Sequence, residues 1–139
     1  MRRLALLAGL PLALALAGCG SEGVVAPTAQ TVVGTLPTAA PVAKGDPASG
    51  KKLYASNGCG GCHTFKAAGS AGKVGPDLDH LAADAKKAGQ ALDQYTFESI
   101  KNPNAYVVPG FQPNVMPAFG GTLSDKQIAD VVAFLTQQS

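Results

Sequence analysis

The chain predicts an all-α domain of three to four helices, preceded by a disordered N-terminal tether. Three observations carry this. Side-chain caps at Asp46 and Ser124 mark helix starts. The C-terminal segment repeats apolar residues at helical spacing. No stretch shows convincing polar–apolar alternation, so no strand is expected. At 139 residues the chain holds one domain at most, plus short extensions.

Residues 1–18 read as an export signal. Arg2-Arg3 supplies a positive start, and an apolar run to Ala17, interrupted by Pro11, follows. That run is too short for a comfortable membrane span. The Arg pair lacks the rest of a twin-arginine motif. Leu16-Ala17-Gly18-Cys19 resembles the lipobox of bacterial lipoproteins, which places lipidation on Cys19. The other reading is an ordinary signal that leaves Cys19 as a free thiol. Residues 19–45 are Ala, Thr, Val, Pro and Gly with almost no charge, and Pro27, Pro37 and Pro41 break any helix. As a flexible coil such a tether spans roughly 25–30 Å.

The folded domain is expected over residues 46–139. Asp46-Pro47 starts a first helix that runs to about residue 57, and Gly58 ends it. Residues 78–88 and 92–101 are the next helices, the latter stopped by Pro103. Residues 102–121 hold four prolines and three glycines without helical period, so an ordered loop is expected. The last helix opens on Ser124 and Gln127, a capping box, with Leu123 and Ile128 as its hydrophobic staple. Ile128, Val131, Val132 and Leu135 then line one face. Such a domain, with few aromatics, has a thin apolar core.

Cys59-Gly60-Gly61-Cys62-His63 carries the chemistry. C-x-x-C-H is the attachment signature for a c-type haem. Two thiols three residues apart on one helical turn can each form a thioether with a vinyl group. The following imidazole is then held where it can bind iron. Gly60 and Gly61 add no side-chain bulk, so the backbone can lie close to the porphyrin edge. A redox dithiol is the weaker reading, because no βαβ pattern accompanies it. A zinc site needs four ligands, and beyond these three only Cys19 and His80 remain. The two haem thiols leave Cys19 alone, which agrees with its lipidation. A haem buried in so thin a core would supply much apolar contact, so the haem-free chain is expected to be unfolded or molten.

The sixth position on iron decides between electron transfer and ligand chemistry. Met116, in Asn114-Val115-Met116-Pro117, and His80 are the candidates. Met116 is favoured, because a soft thioether in a proline-rich loop suits low-spin iron. A lone methionine is also common core filler, and His80 reads equally as a surface residue.

Beyond C-x-x-C-H, the chain from Asp46 to Gln138 resembles a class I (monohaem, His/Met) cytochrome c. Gly50 and Tyr54 resemble the family's glycine–aromatic pair that packs across the last helix, with Phe134 as partner aromatic. Gly75-Pro76-Asp77-Leu78 resembles the family's G-P-x-L segment. The resemblance implies that the Pro76 carbonyl accepts a hydrogen bond from His63. Val115 to Gly120 matches the methionine loop. Residues 99–106, then Val108-Pro109-Gly110-Phe111 and Met116-Pro117, are similar to cytochrome domains fused to subunit II of bacterial haem–copper oxidases. The copper domain and its transmembrane helices are absent from this sequence. The inserted stretch 84–90 is not diagnostic.

The expected protein is therefore an exported, lipid-anchored carrier at the outer face of the cell membrane. It is not expected to be an enzyme. Its single covalent haem c is held by Cys59 and Cys62, with His63 and Met116 on iron. The resemblance implies a quinol-oxidising complex as donor and a terminal oxidase as acceptor. Lys66, Lys73, Lys86 and Lys87 are candidates for the docking face. The alternatives are a fixed electron-entry subunit of a membrane dehydrogenase, or a haem peroxidase or sensor with a labile sixth ligand. After signal cleavage nine Lys balance nine acidic residues and no Arg remains, so nothing points to nucleic acid.

Overall fold

A computed structural model describes residues 41–137. The expected signal, Cys19 and residues 19–40 of the expected tether lie outside the described residues. The elements, in chain order, are α1 (Pro47–Ser56), α2 (Cys59–Cys62), β1 (Thr64–Phe65), β2 (Ser70–Ala71), α3 (Leu81–Lys87), α4 (Leu92–Lys101) and α5 (Asp125–Thr136). Short 3-10 turns cover Lys66–Ala68, Leu78–His80 and Phe119–Gly121.

The expected helices form, with two differences. The helix expected over residues 78–88 opens as a 3-10 turn at Leu78 before α3, because the Asp77 side chain accepts from the Asp79 amide and tightens the entry. A strand pair also appears where none was expected. β1 and β2 are antiparallel, with Thr64 opposite Ala71 and Phe65 opposite Ser70. At two residues each, they are too short to produce an alternation that a sequence could reveal.

α1 crosses α5 at Gly50. A Cβ there would lie 1.9 Å from the Asp130 carbonyl oxygen and 2.9 Å from the Phe134 Cβ. Only glycine lets the two backbones approach so closely. The contact brings three aromatic rings together. Phe65 and Phe134 meet edge to face at 5.4 Å, and Tyr54 lies 5.8 Å from Phe134 and 6.0 Å from Phe65. Ile128, Val131, Val132 and Leu135 of α5 are buried in the same core, and Leu123 packs against it. α4 packs on α5, and α3 packs on α4.

Both helix starts are capped as expected. Asp46 accepts from the Ala48 amide at 2.9 Å, and from the Ser49 hydroxyl and amide. Ser124 and Gln127 close their capping box from both sides. The Asp46 amide in turn donates to the buried Asp130 carboxylate at 2.6 Å, and Lys126 also donates to that carboxylate. The chain's entry into α1 is thereby fastened to α5. Among the described residues, no helix is long and apolar enough to cross a membrane.

Candidate functional site

The two motif thiols sit on one turn. Gly58 enters α2 at φ +70°, a left-handed conformation that favours glycine. The single turn carries Cys59, half-buried, and Cys62, exposed; neither is in a disulfide. Burial pushes the Cys59 thiol above its usual range, with Cys62 adding to the shift. That direction is opposite to the one that activates a redox dithiol. Among the described residues no three His, Cys, Asp or Glu gather in the way a zinc site needs.

Gly60 has a protein reason as well as the expected one. A Cβ on it would lie 2.8 Å from the Ser70 Cβ, so its bareness makes room for β2. Ser70 also meets the buried Tyr54 hydroxyl at 2.9 Å. Burial raises the Tyr54 pKa, which keeps that hydroxyl protonated.

His63 follows the turn and is 8% exposed. Its Nδ1 lies 2.8 Å from the Pro76 carbonyl oxygen. A carbonyl can only accept, so Nδ1 carries the proton and Nε2 keeps a free lone pair. The loop that supplies Pro76 is pinned to the motif. The Cys62 carbonyl accepts from the Val74 amide at 3.0 Å and the Gly75 amide at 2.9 Å. Thr64 Oγ1 donates to the Gly72 carbonyl at 2.8 Å. Gly75 covers the imidazole face, since a Cβ there would be 2.4 Å from Cε1 and 2.8–2.9 Å from both ring nitrogens.

Cys59, Cys62, His63, Pro76 and Met116 line one cleft of about 1410 Å³, its open mouth included. Its walls are largely apolar, with Leu53, Leu81, Ile100, Val131 and Leu135 among them. His80 does not line this cleft. It is exposed, and its Nδ1 pairs with Asp77 at 3.6 Å. Of the two candidates for the sixth position, Met116 alone shares a cavity with His63.

Three further cleft residues escaped the sequence reading. Asp84, 8% exposed, pairs with Lys87 at 3.2 Å and lies beside Tyr95, raising that phenol's pKa in addition to burial. Its signal was present, because it occupies an apolar-stripe position between Leu81 and Ala88. Tyr95 meets Tyr106 edge to face at 5.9 Å. Asn104 also lines the cleft; it stands in the 99–106 stretch that carries the resemblance, but nothing in the sequence marks it as a cleft residue.

The residues present fit an iron porphyrin. Two thiols lie on one turn of the wall, an imidazole offers a free nitrogen, a thioether lines the same space, and the lining is apolar. Residues 47–139 match the cytochrome c family. The chain is 38% identical to cytochrome c6 of Picosynechococcus over 99 residues, 71% of this chain and 79% of that one. It is 33% identical to a cytochrome c homolog of Bradyrhizobium diazoefficiens over 138 residues, 88% and 68% of the two chains. Cytochrome c of Theileria annulata is 32% identical over 111 residues, 70% and 90%. The chain belongs to the cytochrome c family. It is an electron-transfer haem protein, and its cofactor is haem c, covalently bound.

Proposed function

We propose that this protein is a membrane-tethered single-electron carrier whose haem iron is held by His63 and Met116. The observation that carries the proposal is the sharing of one cleft by the C-x-x-C-H turn and the methionine loop, with His80 outside it. When bound, the haem supplies an iron that gains or loses one electron. The chain's own residues set the conditions for that exchange. Pro76 holds the Nδ1 proton of His63, so Nε2 stays basic and fixed in direction. Apolar walls keep water from the cofactor's faces. With His63 and Met116 both holding the iron, little rearrangement would be needed at each transfer, which would favour electron transfer over ligand chemistry.

Cys19 is the proposed lipid anchor, and the residues after it form the tether. Tethering raises the local concentration of the domain near membrane partners. The proposed donor is a quinol-oxidising complex and the proposed acceptor a terminal oxidase, on the likeness of residues 99–106, 108–111 and 116–117 to cytochrome domains fused to oxidase subunit II. The proposed docking face is the rim of the cleft, with the four lysines as candidates around it. Val74 and Val115 line the cleft and are 57% and 52% exposed. Lys66, Lys73, Lys86 and Lys87 do not line it, and Lys66 and Lys87 pair with Asp79 and Asp84.

The test is spectroscopic. The ferric holoprotein should show far-red thioether–iron absorption. Met116→Ala should abolish it and open the iron to carbon monoxide in the reduced state, while His80→Ala should do neither. An unchanged Met116→Ala spectrum would remove the assignment. Cys19→Ser should move the protein from the membrane to the soluble fraction of the expressing cell.

A further inference from the structure

We propose that Asn104 is a positioning residue for the Met116 thioether, acting as a clasp that closes the methionine loop. The inference rests on Met116 being an iron ligand, as proposed above.

The loop from Asn102 to the turn at Phe119 contains no helix or strand to stiffen it. Its outward limb is fixed at the start. Asn102 donates through its amide to the Glu98 carbonyl at 2.7 Å, and the Ala105 amide bonds to the Asn102 carbonyl. The chain turns at Gly110, φ +97°, where the Phe111 amide reaches the Val108 carbonyl. The return limb carries Met116. Among the described residues, a single hydrogen bond joins the two limbs. The Asn104 side-chain oxygen accepts from the Asn114 amide at 2.7 Å.

The return limb needs that bond for two reasons. Pro113 and Pro117 flank the Asn114–Met116 segment and have no amide hydrogens to offer. Asn114 itself sits at φ +61°, the only non-glycine residue with positive φ among those described. Asparagine tolerates that conformation better than most side chains, but it still has to be held there. The held residue lies two positions before the methionine, so it sets the direction in which the chain leaves for Met116. Asn104, Asn114 and Met116 all line the cleft, which places the clasp at the site and not at a remote turn.

Without the clasp, Met116 should leave the iron more often, and an external ligand should compete better. The experiment measures imidazole affinity of the ferric holoprotein, together with its far-red absorption. Asn104→Leu removes the acceptor and should raise imidazole affinity about fivefold, the size expected for one net hydrogen bond. Asn104→Asp keeps the acceptor and should stay near wild type. Amide hydrogen exchange at Asn114 should speed up in Asn104→Leu alone. In a Met116→Ala background, Asn104→Leu should have no further effect on imidazole affinity. The clasp is overturned if Asn104→Leu binds imidazole as wild type does, or if its effect persists in full without Met116. The ligation reading fails separately, if Met116→Ala itself leaves imidazole affinity unchanged.

Discussion

Gly75 shows how much of this site depends on what a side chain omits. The imidazole of His63 is held in its plane by the Pro76 carbonyl and across its face by the Gly75 backbone. A methyl group added at residue 75 would meet the ring at 2.4 Å, and the loop cannot retreat because both its amides are bound to Cys62. Gly75→Ala is expected to turn the ring away from Pro76 and to destabilise the holoprotein by about 1–3 kcal/mol, the usual cost of forced overpacking. Denaturant unfolding and the proton resonance of His63 Nδ1 check this. A wild-type midpoint with an unmoved resonance would mean that the ring has slack. The neighbouring glycines differ in kind: Gly60 makes room for Ser70, whereas Gly61 has no protein atom within 4 Å of a Cβ.

Helix ends carry the pH response at the scale of elements. The Asp46 carboxyl is held below its ordinary range by the Ala48 amide and then by Ser49. Asp130 is lowered first by Lys126 and then by the Asp46 amide. Both folded-state values lie under those of the unfolded chain, so the unfolded chain takes up protons first as pH falls. The stabilisation is fully present above about pH 4 and is lost as pH drops through the lowered values. Asp130→Asn should flatten this acid limb and loosen the entry to α1. Unfolding midpoints compared between about pH 3 and pH 7 measure it, and an unchanged slope would exclude Asp130 as a contributor. The helix starts were readable because caps are local: Asp46-Pro47 and Ser124 with Gln127 declare themselves within four residues. The strand pair and the Asp130 link were not, since they depend on residues meeting through the fold. The motif thiols, His63 and Met116 stood out by residue type and rarity. Asn104 did not, because an ordinary polar residue gains its role only from what it faces, and Asp84 showed only as a break in the apolar stripe between Leu81 and Ala88.

At the scale of the molecule, the core and the cleft are one continuous apolar region. Leu78, Leu81, Tyr95, Ile100, Val131 and Leu135 belong both to the buried cluster and to the cleft wall. A haem held in this cleft would add apolar contact to a thin core, each Å² that it covers contributing roughly 25 cal/mol. A Cys59→Ala, Cys62→Ala chain stripped of haem is therefore expected to keep part of its helical far-ultraviolet signal, lose its near-ultraviolet signal and bind a hydrophobic dye. A sharp cooperative melt with native near-ultraviolet ellipticity would show that the polypeptide is self-sufficient. Where the chain enters the domain has a separate consequence. Gly45 lies against the Ala129 carbonyl, where a Cβ would be 1.9 Å away, and Asp46 is fastened to Asp130. Around the axis of α5, these contacts lie about 100–160° from Val131 and Leu135, which border the cleft. The described chain thus joins the domain on a face of α5 other than the one that borders the cleft.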